Sequence, residues 1–282
     1  MAIQTVGVVG MGQMGSGIVE VFARAGVSVV ARETNDELLE RGRNYLKRSF
    51  AKGVERGKLS QVDADAALGR ITTTTQLVDF ASCDLVIEAA TENMELKKTI
   101  FTELDVICKP HAILASNTSS LSITEIASAT QRADRVVGLH FFNPVPVMPL
   151  IEIVRGLLTS EETLDEVRPL GTLLNKQLVF AKDNPGFIVN LLLVPYLFDA
   201  IRALENGVGT KEDIDTGIKL GLNHPMGPFT LADFVGLDTC LFIGDAMYAE
   251  FKDARYAAPP LLRRMVTAGL LGRKSGRGFY SY

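Results

Sequence analysis

A glycine-rich turn set between a strand and a helix limits this chain more than anything else in it. Residues 5–10, TVGVVG, read as a short buried strand. Gly10-Met11-Gly12-Gln13-Met14-Gly15 overlaps its end, and a helical pattern runs from about Met14 to Ala25. A second β-rich run, VSVV (27–30), leads on to Glu33. GxGxxG in that setting is a dinucleotide-binding turn. The first glycine permits the tight turn, the second lets the backbone approach a pyrophosphate, and the third lets helix and strand pack closely. The helix start, at Gln13 and Met14, offers N–H groups and a positive dipole end to phosphate. Glu33 is placed to accept hydrogen bonds from the adenosine ribose. Its carboxylate repels a 2′-phosphate, so NAD is expected; the neighbouring Arg32 could attract that phosphate, which keeps NADP as the alternative.

The alternation continues with DLVIEAA (84–90), AILASNT (112–118), RVVGLHFF (135–142) and LIEIV (150–154), all assigned to the same parallel sheet with helices on its faces. A polar helical stretch over about 36–69 is longer than a crossover needs and reads as an insertion. At Asn184-Pro185-Gly186 the pattern changes to long helices, Phe187 to Asn206, Lys211 to Gly221 and Pro228 to Phe251, with hardly a strand before the tail. The fold class expected is therefore α/β: a Rossmann-type domain over 1–184, then an all-α domain over 185–282. The second domain is rich in apolar residues for its size, which predicts a face buried against another copy, in a homodimer or higher homo-oligomer.

Composition excludes more than it selects. In 282 residues the formal charge is −4 with signs interspersed, which favours neither nucleic acid nor a membrane surface, although a local basic patch is still allowed. Cys83, Cys108 and Cys240 are odd in number and lack CxxC spacing, which argues for a reducing compartment and against metal ligation. MAIQTVGVVG reads directly as a strand rather than a signal peptide, and the apolar stretch Phe187 to Phe198, broken by Asn190 and Pro195, is too short to span a bilayer. A cytoplasmic protein is expected.

The segment VVGLHFFNPVPVMPLIE (136–152) holds the most suggestive chemistry. His140 ends one apolar run and Glu152 arrives inside the next. Histidine ordinarily titrates near neutrality, and a carboxylate beside it can fix its tautomer, which suits a general acid/base. By themselves the two could equally be a half-buried histidine and a carboxylate on an edge strand. Ser119 lies in a Ser/Thr-rich turn after AILAS, at the strand end where open α/β sheets bind ligands.

The segments GVVGMGQMGSGI (7–18), DLVIEAATE (84–92), LASNTSSLSITEIA (114–127), GLHFFNPVPVMPLIEI (138–153), NPGFIVN (184–190), NHPMGPFTLADFVGLD (223–238) and LGRKSGRGFY (271–280) together resemble the L-3-hydroxyacyl-CoA dehydrogenases, above all the short bacterial 3-hydroxybutyryl-CoA enzymes. The resemblance covers essentially the whole chain. It implies NAD-dependent oxidation of an (S)-3-hydroxyacyl-CoA to the 3-oxoacyl-CoA, or the reverse. It makes His140 the catalytic base and Glu152 its orienting partner, and has Ser119 and Asn190 contact the substrate oxygen and help place the nicotinamide. It adds cofactor contacts at Glu92, Lys97, Asn143 and Lys274, and CoA contacts at Ser49 and Arg56. Hydride transfer of this kind requires no metal. Arg48, Lys52 and Arg56 recur at i, i+4 and i+8, a cationic ridge that could hold the CoA phosphates. Two positions depart from the pattern: Leu191 and Pro149 stand where relatives often carry arginine and lysine. A dehydrogenase for a free hydroxy acid, or a dinucleotide-binding protein without turnover, would share the fold.

Overall fold

The computed structural model describes residues 3–282, which divide into two compact units, the first ending at Asn184 and the second beginning at Pro185. The first unit is built on one eight-stranded sheet in the order β3-β2-β1-β4-β5-β6-β7-β8. Its elements run β1 (Thr5–Val9), α1 (Gln13–Arg24), β2 (Ser28–Arg32), α2 (Asp36–Glu55), α3 (Gln61–Leu68), β3 (Ile71–Thr74), β4 (Leu85–Glu88), α4 (Met94–Ile107), β5 (Ile113–Ser116), α5 (Ile123–Ala127), β6 (Val136–Phe141), β7 (Leu150–Arg155), α6 (Glu161–Val167), α7 (Leu170–Leu173) and β8 (Gln177–Lys182). Central strands such as β4 and β5 are buried along their whole length, because helices cover both faces of a parallel sheet.

One pairing departs from the all-parallel expectation: β7 runs antiparallel to β6. Only residues 142–149 connect the two, too few for a parallel crossover but enough for an antiparallel return. β3 and β8 are strands that the sequence pattern did not single out; ITTT is half-buried and polar, and QLVFAK lies at the sheet edge with three exposed positions.

The helical insertion is two helices. α2 starts where the Asn35 side chain accepts from Leu38 N at 2.9 Å, with Asp36 and Glu37 in the first turn favouring the dipole. It buries Leu39, Gly42, Leu46 and Phe50, a stripe at helical spacing. Arg56 is its C-cap and Gly57, at φ +65°, opens the turn to α3, which Ser60 caps in the same way.

The second unit comprises α8 (Val189–Glu205), α9 (Lys211–Gly221), α10 (Pro228–Val235), α11 (Leu237–Phe251) and α12 (Pro260–Thr267) around Phe198, Phe229, Leu237 and Met247. The single helix expected over 228–251 is broken at Gly236, whose φ of +103° no helix accommodates. The tail forms isolated bridges only, and its backbone N–H groups at Phe279 and Tyr280 are held by the buried Asp233 carboxylate at 2.9 Å each. All three cysteines are free and buried, and burial pushes their thiols up to about 12 for Cys83 and Cys240 and about 11 for Cys108, which leaves them protonated at neutral pH. Among the described residues no helix is long and apolar enough to cross a membrane.

Candidate active site

The strand order reverses between β1 and β4, and a crevice outside the carboxyl ends of strands at such a reversal is where open α/β sheets take ligands. Gly10 sits at that point with φ +97°, so close to the chain leaving β4 that a Cβ on it would lie 2.8 Å from the Ala89 carbonyl oxygen. Gly15 is tighter still, since its Cβ would come 1.9 Å from the Gly10 carbonyl oxygen. Above Gly12, in contrast, a Cβ would meet nothing within 4 Å. No side chain caps the start of α1. A crowded turn beneath, open space above and an uncapped helix N-terminus fit the pyrophosphate of a dinucleotide.

Glu33 follows β2, and its Oε1 accepts from Met11 N at 2.7 Å while Oε2 accepts from Thr34 N at 3.1 Å. The carboxylate thus braces the glycine turn as well as standing where a ribose would lie; each oxygen keeps a second lone pair for a hydroxyl. Gln13 Nε2 donates to Asn143 Oδ1 at 3.0 Å, so two residues assigned to the cofactor from separate motifs meet across the loop after β6.

His140 and Glu152 are cross-strand partners in the antiparallel register of β6 and β7. Nδ1 of the ring lies 2.6 Å from Oε2, with His140 6 % and Glu152 0 % exposed. Directly opposed side chains on one sheet face come within contact by the pleat alone, so the register that returns the chain also makes the pair. Asn117, just past β5, accepts from Phe141 N at 2.9 Å and so ties the end of β6 to its neighbour.

A second buried carboxylate lies at the end of β4. Glu88 receives Lys97 Nζ at 2.5 Å and Ser116 Oγ at 2.8 Å on one oxygen, and the N–H groups of Ala90 and Thr91 on the other. Lys97 is only 1 % exposed and also donates to Ser116 at 3.2 Å. Glu92 stands 4.0 Å from the same ammonium and accepts from Thr118 Oγ1 at 2.8 Å and Ser119 N at 3.1 Å. Ser119 is therefore held by Glu92, and Ser120 beside it buries a hydroxyl that has no hydrogen-bond partner among the described residues. Glu88, Ser116 and Asn117 escaped the sequence reading. The visible signals were an acid closing an apolar strand, with a lysine nine residues on, and the asparagine in the SNTSS turn.

Other expected residues are placed differently. Ser49 turns inward, its hydroxyl donating to the buried Glu20 carboxylate at 2.6 Å, while Lys52 and Arg56 are exposed. Within the second unit, Asn190 is buried in the first turn of α8, whose entry is shaped by positive φ at Gly186 and Phe187. Lys274 pairs with Asp238 at 2.5 Å on the surface. Leu191, beside Asn190, is half-buried and Pro149 is exposed.

A dinucleotide cradle at β1 and an imidazole with a buried carboxylate at β6 equip one sheet edge to move a hydride and a proton, the chemistry of the nicotinamide-dependent dehydrogenases. Comparison with known proteins makes the assignment particular. Residues 5–184 match the model of the 3-hydroxyacyl-CoA dehydrogenase NAD-binding domain, and residues 186–282 match that of the 3-hydroxyacyl-CoA dehydrogenase C-terminal domain. The chain belongs to the 3-hydroxyacyl-CoA dehydrogenase family. It is 54 % identical to a 3-hydroxybutyryl-CoA dehydrogenase of Mycobacterium tuberculosis, over 100 % of this chain and 99 % of that protein. The crystal structure of M. tuberculosis FadB2 superposes with a TM-score of 0.98 at 53 % identity, covering 100 % of both chains. That of the (S)-3-hydroxybutyryl-CoA dehydrogenase PaaH1 from Ralstonia eutropha gives 0.95 at 46 % identity, covering 100 % of this chain and 99 % of that one.

Proposed function

We propose that this chain interconverts (S)-3-hydroxybutyryl-CoA and acetoacetyl-CoA with NAD, using His140 and Glu152 as its acid/base pair. The observation that carries the reading is the 2.6 Å contact between His140 Nδ1 and Glu152 at the carboxyl end of β6, in a chain with this family membership. NAD, when bound, supplies the hydride acceptor at its nicotinamide ring. With Nδ1 engaged by the carboxylate, Nε2 of His140 is the nitrogen that takes the hydroxyl proton as the C–H bond gives up its hydride. The products are the ketone, reduced cofactor and an imidazolium beside the Glu152 carboxylate. Ser119 and Asn190 donate to the oxygen as its charge develops.

The glycine turn from Gly10 to Gly15, with Glu33, Glu92, Lys97, Asn143 and Lys274, serves the cofactor. Lys97 acts from within the Glu88 pair by holding Glu92 and the Ser119 turn. Lys52 and Arg56 hold CoA phosphate at the surface. Ser49 acts indirectly, by fixing α2 against Glu20. The enzyme works as a homodimer or higher homo-oligomer in the cytoplasm. Consumption of NADH, followed by absorbance, is expected with acetoacetyl-CoA and not with free acetoacetate, and at a lower kcat/KM with NADPH. Equal turnover of the free acid would replace this reading with that of a hydroxy-acid dehydrogenase.

A further inference from the structure

A cleft of about 560 Å³ lies on the surface of the first unit, and none of the residues assigned above to catalysis or cofactor lines it. Its walls include Val21 and Arg24 from the end of α1, Asp63 from α3, Arg70 before β3, Pro146, and Lys176 before β8. Three cations thus face one carboxylate, in a protein whose net charge is negative.

Two of the three cations, Arg70 and Lys176, have no carboxylate partner among the described residues. Lys176 is 8 % exposed and donates to the carbonyls of Val145 at 2.7 Å and Met148 at 2.6 Å, which uses two of an ammonium's three donors. No carboxylate among the described residues pairs with it, and burial, followed by the charge of Arg24, lowers its pKa. A buried charge without a counter-ion is costly, and an anion in the cleft would remove that cost. Among the described residues the Arg70 side chain donates to the Ala23 carbonyl alone, at 3.2 Å. Arg24 is paired with the Glu20 carboxylate at 3.3 Å, and its guanidinium keeps further N–H donors for a second anion. Two guanidinium forks and an ammonium suit a phosphate monoester, whose oxygens accept several charge-assisted bonds at once. Val21, Ala25, Leu59 and Pro146 supply apolar wall for a base, and the volume falls in the range of small-ligand sites, roughly 300–1,000 Å³.

We propose that this cleft binds a phosphorylated nucleoside, with the phosphate held between Arg24, Arg70 and Lys176. Lys176 also grips the loop that runs from His140 to Glu152, so the ligand bears on a segment of the catalytic hairpin. The phosphate belongs either to the nucleotide end of CoA, whose several phosphate groups this cleft would share with Lys52 and Arg56, or to a free nucleotide.

Titration calorimetry of the full-length protein saturated with NADH, with adenosine 3′,5′-bisphosphate as probe, is expected to show binding that weakens about tenfold in Arg70→Met. Affinity should also fall as salt rises. Lys176→Gln, with its fold checked by circular dichroism, should weaken binding similarly; if it does not fold, Arg24→Met takes its place. Steady-state kinetics separate the two sources. A KM raised in Arg70→Met for acetoacetyl-CoA but not for acetoacetyl-pantetheine assigns the phosphate to the substrate. Unchanged KM for both, with the titration lost, assigns it to a free nucleotide. No binding by the wild type, or affinity untouched by Arg70→Met and by the second variant, overturns the site. So does affinity lost in Arg56→Ala alone, which would put the probe on α2. The titration involves no turnover, so a chain inactive on CoA thioesters would remove the function proposed above and leave this inference standing.

Discussion

Two carboxylates are fully buried at the carboxyl edge of this sheet, each against a group that can be positive, and they do different things. Glu88 on β4 meets a lysine, a serine hydroxyl and two backbone N–H groups, and its ammonium partner is 1 % exposed. Glu152 on β7 meets an imidazole on the opposing strand, and that ring keeps a 6 % exposure. An ammonium has donors only, so the first pair serves to hold structure in place. An imidazole can both give and take a proton, the property that the acid/base role proposed for the second pair requires. Burial of an acid therefore does not by itself mark acid/base chemistry; the side-chain type of its partner is what separates the two pairs.

The comparison breaks most directly at Lys97. Lys97→Met leaves the Glu88 carboxylate buried and uncompensated and should cost about 3–5 kcal/mol in urea unfolding, with Glu88→Gln in the same chain restoring much of it. A variant as stable as the parent would mean the pair is not a structural brace. The next effect is kinetic. His140→Gln should lower kcat by at least about a hundredfold with NADH affinity, read by fluorescence titration, nearly unchanged. Glu152→Gln should cost a smaller factor, about tenfold to a hundredfold, because the ring keeps a neighbour but the imidazolium loses its counter-charge. Near-normal turnover in His140→Gln would falsify the assigned base.

A third pair sharpens the contrast with a smaller effect. Asp84, just before β4, accepts from Lys109 and from the backbone of Gln4 and Thr5 at 3.0 Å each. Burial raises its carboxyl, but those bonds outweigh burial and hold it below its ordinary value. A depressed carboxylate contributes stability above its unfolded pKa, about 3.9, and loses it as pH falls through the folded value. Unfolding of Asp84→Asn compared with the parent should therefore differ at pH 7 and converge in acid. A difference that persisted at the lowest pH would assign the effect to packing instead.

Much of this was readable in the sequence because the relevant forces are local. The glycine turn needs only Gly10 to bend and Gly15 to clear a carbonyl, and both needs show as residue type and spacing. His140 and Glu152 lie twelve residues apart on two apolar runs. Strands β3 and β8 were not singled out, since edge strands carry too weak a pattern. Gly236 was read through as helix because no pattern marks a glycine at positive φ within an apolar run.

The sequence by itself determined the dinucleotide turn, the succession of sheet and helical segments, and the residue types available for acid/base work. Those follow from periodicity of burial and from glycine's freedom at φ > 0, which act within a few residues. Only the tertiary structure decided which partners those residues keep. The antiparallel return of β7 set Glu152 directly opposite His140. The packing of α4 drove Lys97 into the interior against Glu88, and that of α2 turned Ser49 toward Glu20. Polar partners of this sort are fixed by which elements meet, over separations of up to 29 residues in these three contacts, and no local pattern records them.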